Sequence, residues 1–99
     1  MTKFKIVLDV RAVQDIQEAI DYYNQQKSGL GEYFLKSVNH SFSVLKDNPF
    51  YQIRYDGIRC LPIKKFPYMT HFVVDEIQST VKIYALINTH RDPEEFWKK

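Results

Sequence analysis

The stretch DVRAVQDIQEAIDYYNQQKSGLGEYFLKSVNHSFSVLKDNP, residues 9–49, decides the fold. Ala12, Ile16, Ala19, Ile20 and Tyr23 recur at three- and four-residue intervals, with Asp15, Glu18 and Asp21 on other faces. That is the period of an amphipathic helix. Asp9 stands where an N-cap belongs, because a short carboxylate there can accept from the first free backbone amides. Gly29 and Gly31, around Leu30, mark the end of this helix. Phe34, Val38, Phe42 and Leu45 then supply a second apolar stripe, and Asn48-Pro49 stops it, since the residue before a proline is pushed out of the helical region. Two helices joined so closely form a hairpin.

Outside this hairpin the period changes to two. In residues 3–9, Phe4, Ile6 and Leu8 alternate with Lys3 and Lys5, the pattern of a strand with one buried face. Residues 53–66, 68–76 and 81–89 are rich in Ile, Val, Phe and Tyr and read as strands, with tight turns at Tyr55-Asp56-Gly57 and Gln78-Ser79-Thr80. Short connections force antiparallel neighbours, so these strands make a meander to which the N-terminal strand can add. The expected fold is α+β in the order β-α-α-β-β-β, with the N-terminal strand and helical hairpin packed on one face of an antiparallel sheet. Residues 1–99 make a single domain: 99 residues with 44% hydrophobic and 15% aromatic content can bury a core but leave no room for a second one.

One helical hairpin covers only one face of such a sheet. Here both faces are semi-apolar. Phe66, Tyr68, Phe72 and Val74 share one parity and Met69, His71 and Val73 the other, while Val81, Ile83, Ala85 and Ile87 oppose Tyr84 and Leu86. Two covers are open: the tail around Phe96-Trp97 folding back, or a partner, since monomers rarely expose large apolar patches. Met69, Tyr84, Leu86 and Trp97 are the candidate anchors for that partner.

Composition narrows the function classes. A lone cysteine, Cys60, excludes an intrachain disulfide framework and makes a reduced, cytoplasmic setting the default. Charges at Lys3, Lys5 and Asp9 interrupt any signal-peptide core, and no stretch approaches the ~20 apolar residues of a membrane span. Net charge is only +2, but residues 49–71 carry Arg54, Arg59, Lys64 and Lys65 against Asp56. Tyr51, Tyr55, Phe66 and Tyr68 lie among these cations, a mixture suited to phosphates and bases. A solvated basic edge is the plainer reading of the same run.

The remaining polar residues offer little conventional chemistry. His40, His71 and His90 make no metal-ligand pattern, Cys60 has no zinc-site partner in sequence, and no phosphate loop, dinucleotide motif or nucleophile elbow is present. Neither a metal nor another cofactor is expected. Arg59 sits inside the apolar run Ile58-Arg59-Cys60-Leu61 and must reach solvent or find acceptors, with Asp75 and Glu76 as the nearest expectation. If the domain cleaves RNA it does so without metal, using a base for the ribose hydroxyl and cations for the phosphorane. Arg59, Lys64, Lys65, His90 and Arg91 are the candidates for those roles.

A family likeness runs from about Asp9 to Trp97. Asp15-Ile16, Ala19, Tyr22-Tyr23, Gly29-Leu30-Gly31, Phe34, Asn48-Pro49, Ile58-Arg59, Phe66-Pro67-Tyr68, Phe72, Ile83, His90-Arg91-Asp92-Pro93 and Trp97 occur in an order that resembles the RelE/ParE superfamily of toxins. The resemblance implies the toxin of a type II toxin–antitoxin system, neutralised by a cognate antitoxin whose C-terminal segment wraps over it. It implies one of two targets: DNA gyrase for ParE-like members, or mRNA in the ribosome for RelE-like endonucleases. The Phe66-Pro67-Tyr68 strand start and the His90-Arg91-Asp92-Pro93…Trp97 ending look more like the ParE or plasmid-stabilisation branch. That branch implies a growth inhibitor with no catalytic set.

Overall fold

A computed structural model describes residues 3–89. The elements are β1 (Lys5–Leu8), α1 (Val10–Gln26), α2 (Leu30–Asp47), β2 (Ile53–Tyr55), β3 (Ile58–Pro62), β4 (Tyr68–Asp75) and β5 (Thr80–Asn88). His90, Arg91 and the Phe96-Trp97 tail lie outside the described residues.

The helical hairpin forms for the reasons its sequence gives. Asp9 caps α1, its carboxylate accepting from the Arg11 amide at 3.1 Å. The turn between the helices is tight because Gly31 lets them touch: a Cβ there would stand 2.6 Å from the Ile20 carbonyl oxygen. The Gly31 amide instead donates to Asn24 Oδ1 at 2.9 Å. α1 turns Ala12, Ile16 and Ala19 inward, and α2 turns Phe34, Val38, Phe42 and Leu45 inward.

The strands make one five-stranded sheet in the order β1-β5-β4-β3-β2. β1 joins parallel to β5, so the sheet is mixed, antiparallel from β5 onward. The segment expected as a strand over 53–66 folds back on itself as the hairpin β2–β3. Asp56 and Gly57 both take positive φ, 45° and 75°, which matches the twist of the flanking strands and closes a two-residue turn.

Phe72, Val81, Ile83 and Leu86 meet the two helices in the core, joined by Ile63 and flanked by Leu61, Phe66, Tyr68 and Val74. The aromatic end of this core is ordered edge to face: Phe34 lies 5.1 Å from Phe66 and 5.3 Å from Tyr68, and Tyr23 lies 4.9 Å from Phe66. Such pairs add about 0.5–1.5 kcal/mol each beyond their buried area.

The β4–β5 register breaks once. Phe72 pairs with Ile83 and His71 with Ala85, leaving Tyr84 as one extra residue in β5. Beyond it the alternation inverts. Leu86 therefore joins Val81 and Ile83 on the helix side, 3% exposed, and Ala85 and Ile87 turn to the other face. The parity expected from sequence, with Leu86 beside Tyr84, fails at this bulge.

Candidate functional site

The face of the sheet away from the helices carries a cleft of about 450 Å³. His71 and Val73 from β4, Tyr84, Ala85 and Ile87 from β5, and Tyr55 and Ile58 from the β2–β3 hairpin line it. Asp9 and Arg11 close one end from the start of α1, and Asp56 stands at the hairpin turn. The bulge at Tyr84 widens this face, since it brings Tyr84 and Ala85 together opposite His71.

At the cleft floor three polar side chains meet. The Tyr55 hydroxyl lies 2.9 Å from His71 Nδ1, and Cys60 Sγ lies 3.6 Å from the same nitrogen. Antiparallel pairing of Cys60 with His71 puts those two side chains on one face, and the Asp56-Gly57 turn folds Tyr55 back over them. Burial, with the positive charges of Arg11 and Arg54, lowers the His71 pKa to about 4. The imidazole is therefore neutral at pH 7. Burial raises both the Tyr55 hydroxyl and the Cys60 thiol, so both keep their protons. A protonated Tyr55 can donate to Nδ1, which leaves the Nε2 of His71 as the protonated nitrogen. The assembly is a neutral hydrogen-bonded floor that feels the positive charge of two arginines.

The sequence-derived cations do not share this floor. Arg59 pairs with Phe72 in register, so it stands on the helix-side parity. Its Nη1 donates to the Tyr51 carbonyl at 2.6 Å and its guanidinium sits 5.5 Å from the centre of the Phe50 ring. It ties down the segment entering β2, where an acid partner, Asp75 or Glu76, was expected. Lys64 and Lys65 lie in the β3–β4 turn, and Lys65 donates to the Tyr33 hydroxyl on α2 at 2.8 Å. Of the apolar anchors, Met69 pairs with Ile87 on the open face and Tyr84 lines the cleft, whereas Leu86 is in the core.

Sequence reasoning placed His71 on the open face but missed Tyr55, Arg11 and Arg54 as its neighbours. The Asp-Gly turn was the available signal for Tyr55. Arg11 gave none, because its approach depends on where α1 leaves β1. Among the described residues no three His, Cys, Asp or Glu side chains gather into a metal site, and no helix is long and apolar enough to cross a membrane.

No family model matches the chain, and no curated protein matches it. Solved structures do. A chromosomal ParDE toxin–antitoxin system from P. aeruginosa superposes with a TM-score of 0.76 at 14% identity, over 89% of this chain and 98% of that one. The toxin–antitoxin complex RelBE2 from Mycobacterium tuberculosis gives 0.63 at 15% identity, over 89% and 93%. The RelE–RelB complex from Pyrococcus horikoshii gives 0.59 at 13% identity, over 92% and 100%. The chain has the fold found in these ParE- and RelE-type systems.

Proposed function

We propose that this protein is the toxin of a type II toxin–antitoxin pair: a cytoplasmic, ParE-like growth inhibitor that acts on DNA gyrase and is held inactive by a cognate antitoxin. One observation carries this reading: the described chain, nearly end to end, shares its fold with proteins from three toxin–antitoxin systems, and the ParDE match has the highest TM-score of the three. In this reading an antitoxin segment lies across the open sheet face, with Met69 and Tyr84 as its apolar anchors and Trp97 as a further one. Leu86 is withdrawn from that set, since it is buried against the helices.

The separation of Arg59 from Lys64 and Lys65, and of all three from the His71 floor, favours a binding inhibitor over a nuclease, because transition-state charge is stabilised only by groups that converge on it. A second reading, a metal-independent mRNA endonuclease acting in the ribosome, draws on Arg11 and Arg54 around His71. In that reading Arg59, Lys64, Lys65, His90 and Arg91 remain the candidates for the catalytic roles, the last two outside the described residues.

Expression of the chain without a partner, with DNA supercoiling and protein synthesis followed in parallel, separates the two. Early DNA damage with translation intact is the expected result. Early translation arrest with cut mRNA would establish the nuclease instead, and undisturbed growth would defeat both.

A further inference from the structure

On the helical side of the molecule a second hollow concentrates positive charge. Tyr33, Lys36, Ser37 and His40 recur at helical spacing on α2 and so share one flank of it. The β3–β4 turn brings Lys64 and Lys65 against that flank, and the six residues line a hollow of about 220 Å³. No carboxylate lines it. Neither Lys36 nor Lys64 is in an ion pair with a described acid, in contrast to Lys3 with Asp47 and Arg11 with Asp15.

The hollow is held in shape. Lys65 takes a left-handed φ of 73°, and its ammonium donates to the Tyr33 hydroxyl at 2.8 Å, which ties the turn to the helix. That hydrogen bond raises the Lys65 pKa and keeps the group charged. Tyr33 is 44% exposed, yet its ring is held from behind, edge-on to Phe66 at 5.9 Å, and Phe66 belongs to the aromatic core. An immobilised, half-exposed ring beside three lysines offers a stacking surface next to a track of positive charge.

We propose that this hollow binds single-stranded nucleic acid, with the phosphodiester backbone crossing Lys36, Lys64 and Lys65 and a base stacked on Tyr33. Cations with no lining acid select a polyanion, and the exposed ring selects one with aromatic faces to offer. An acidic peptide has the charge without the faces, and a duplex keeps its faces internal. The site lies apart from the open sheet face and does not depend on what binds there.

The test is fluorescence anisotropy of a labelled oligouridylate, and of the matching oligodeoxyuridylate, titrated with the full chain across a salt series. Binding should weaken with salt with a log–log slope near −2, from about 0.7 per neutralised phosphate at three lysines. The K36A/K64A/K65A variant should weaken binding by about tenfold or more and flatten most of that slope. Tyr33→Leu should weaken it roughly tenfold with the slope kept, while Tyr33→Phe, which keeps the stacking ring and loses only the hydroxyl tie to Lys65, should weaken it by clearly less. Preference for oligouridylate over oligodeoxyuridylate, which differ only in the 2′-hydroxyl, identifies the sugar. Wild-type binding by a folded triple variant would overturn the proposal, as would equal competition by polyglutamate or by duplex. If the triple variant does not fold, the single turn substitution Lys64→Glu decides by the same criterion.

Discussion

His71 makes the stability of this domain pH-dependent in a direction that can be worked out in advance. In the unfolded chain its imidazole takes a proton near pH 6.5; in the fold, burial and the charges of Arg11 and Arg54 delay protonation to about pH 4. Between these values the unfolded state holds more protons, so stability rises with pH. The domain is at full strength above about pH 6.5, weakens as pH falls, and takes no further loss from this group below about pH 4. A gap of this size amounts to about 3 kcal/mol at full extent and about 2 kcal/mol at pH 5. His71 is 3% exposed, so little solvent screening reduces it. Carboxylates titrate over part of the same range, so the informative quantity is the difference from His71→Gln, which retains a partner for the Tyr55 hydroxyl. Urea denaturation at pH 7.5, 6, 5 and 4.5 should give curves that converge as pH falls, the wild type losing about 2 kcal/mol more than the variant by about pH 5. Parallel losses in the two proteins would refute the assignment of a neutral, buried imidazole.

Three further outcomes follow from the packing. Gly31→Ala gains up to about 1 kcal/mol of helix propensity, but its methyl meets the Ile20 carbonyl oxygen at 2.6 Å. A net loss of about 1–2 kcal/mol is expected, and a raised melting temperature would contradict the close approach. Phe34→Ala should cost about 3–5 kcal/mol in chemical denaturation, because Phe34 is fully buried among Tyr23, Phe66 and Tyr68. Asp15→Ala removes the carboxylate that accepts from the Leu86 amide at 3.1 Å and should cost about 1–3 kcal/mol. Hydrogen exchange should locate that loss at the end of β5, and unchanged protection of the Leu86 amide would count against it.

How far the sequence could be read depended on the range of the forces involved. Local signals survived: the two helical stripes, the Asp9 cap and the break at Asn48-Pro49 involve neighbours within a turn or two, and each sits where its residues placed it. The Asp56-Gly57 turn is visible too, but the apolar run on either side of it reads as one long strand where the chain forms a hairpin. What failed was long-range. Alternation assigns faces only while the register is unbroken, and the extra residue at Tyr84 moved Leu86 across the sheet. Arg59 met the Tyr51 carbonyl instead of an acid because β2 folds back beside it, something no spacing along the chain encodes. The basic cluster dispersed for the same reason: Arg59 and Lys65 are six positions apart in sequence, yet one braces the entry to β2 and the other docks on α2.

The bulge at Tyr84 also bears on how the chain avoids folding one step out of line. Ala85, Leu86 and Ile87 are consecutive apolar residues, so the end of β5 would bury a greasy side chain on either face if it slid by one position. Hydrophobicity cannot tell the two alignments apart. Asp15 can, because its carboxylate reaches only the amide that the observed alignment presents, that of Leu86. This polar contact from α1 thus acts as an index mark for the strand, favouring the observed threading over one displaced by a single position.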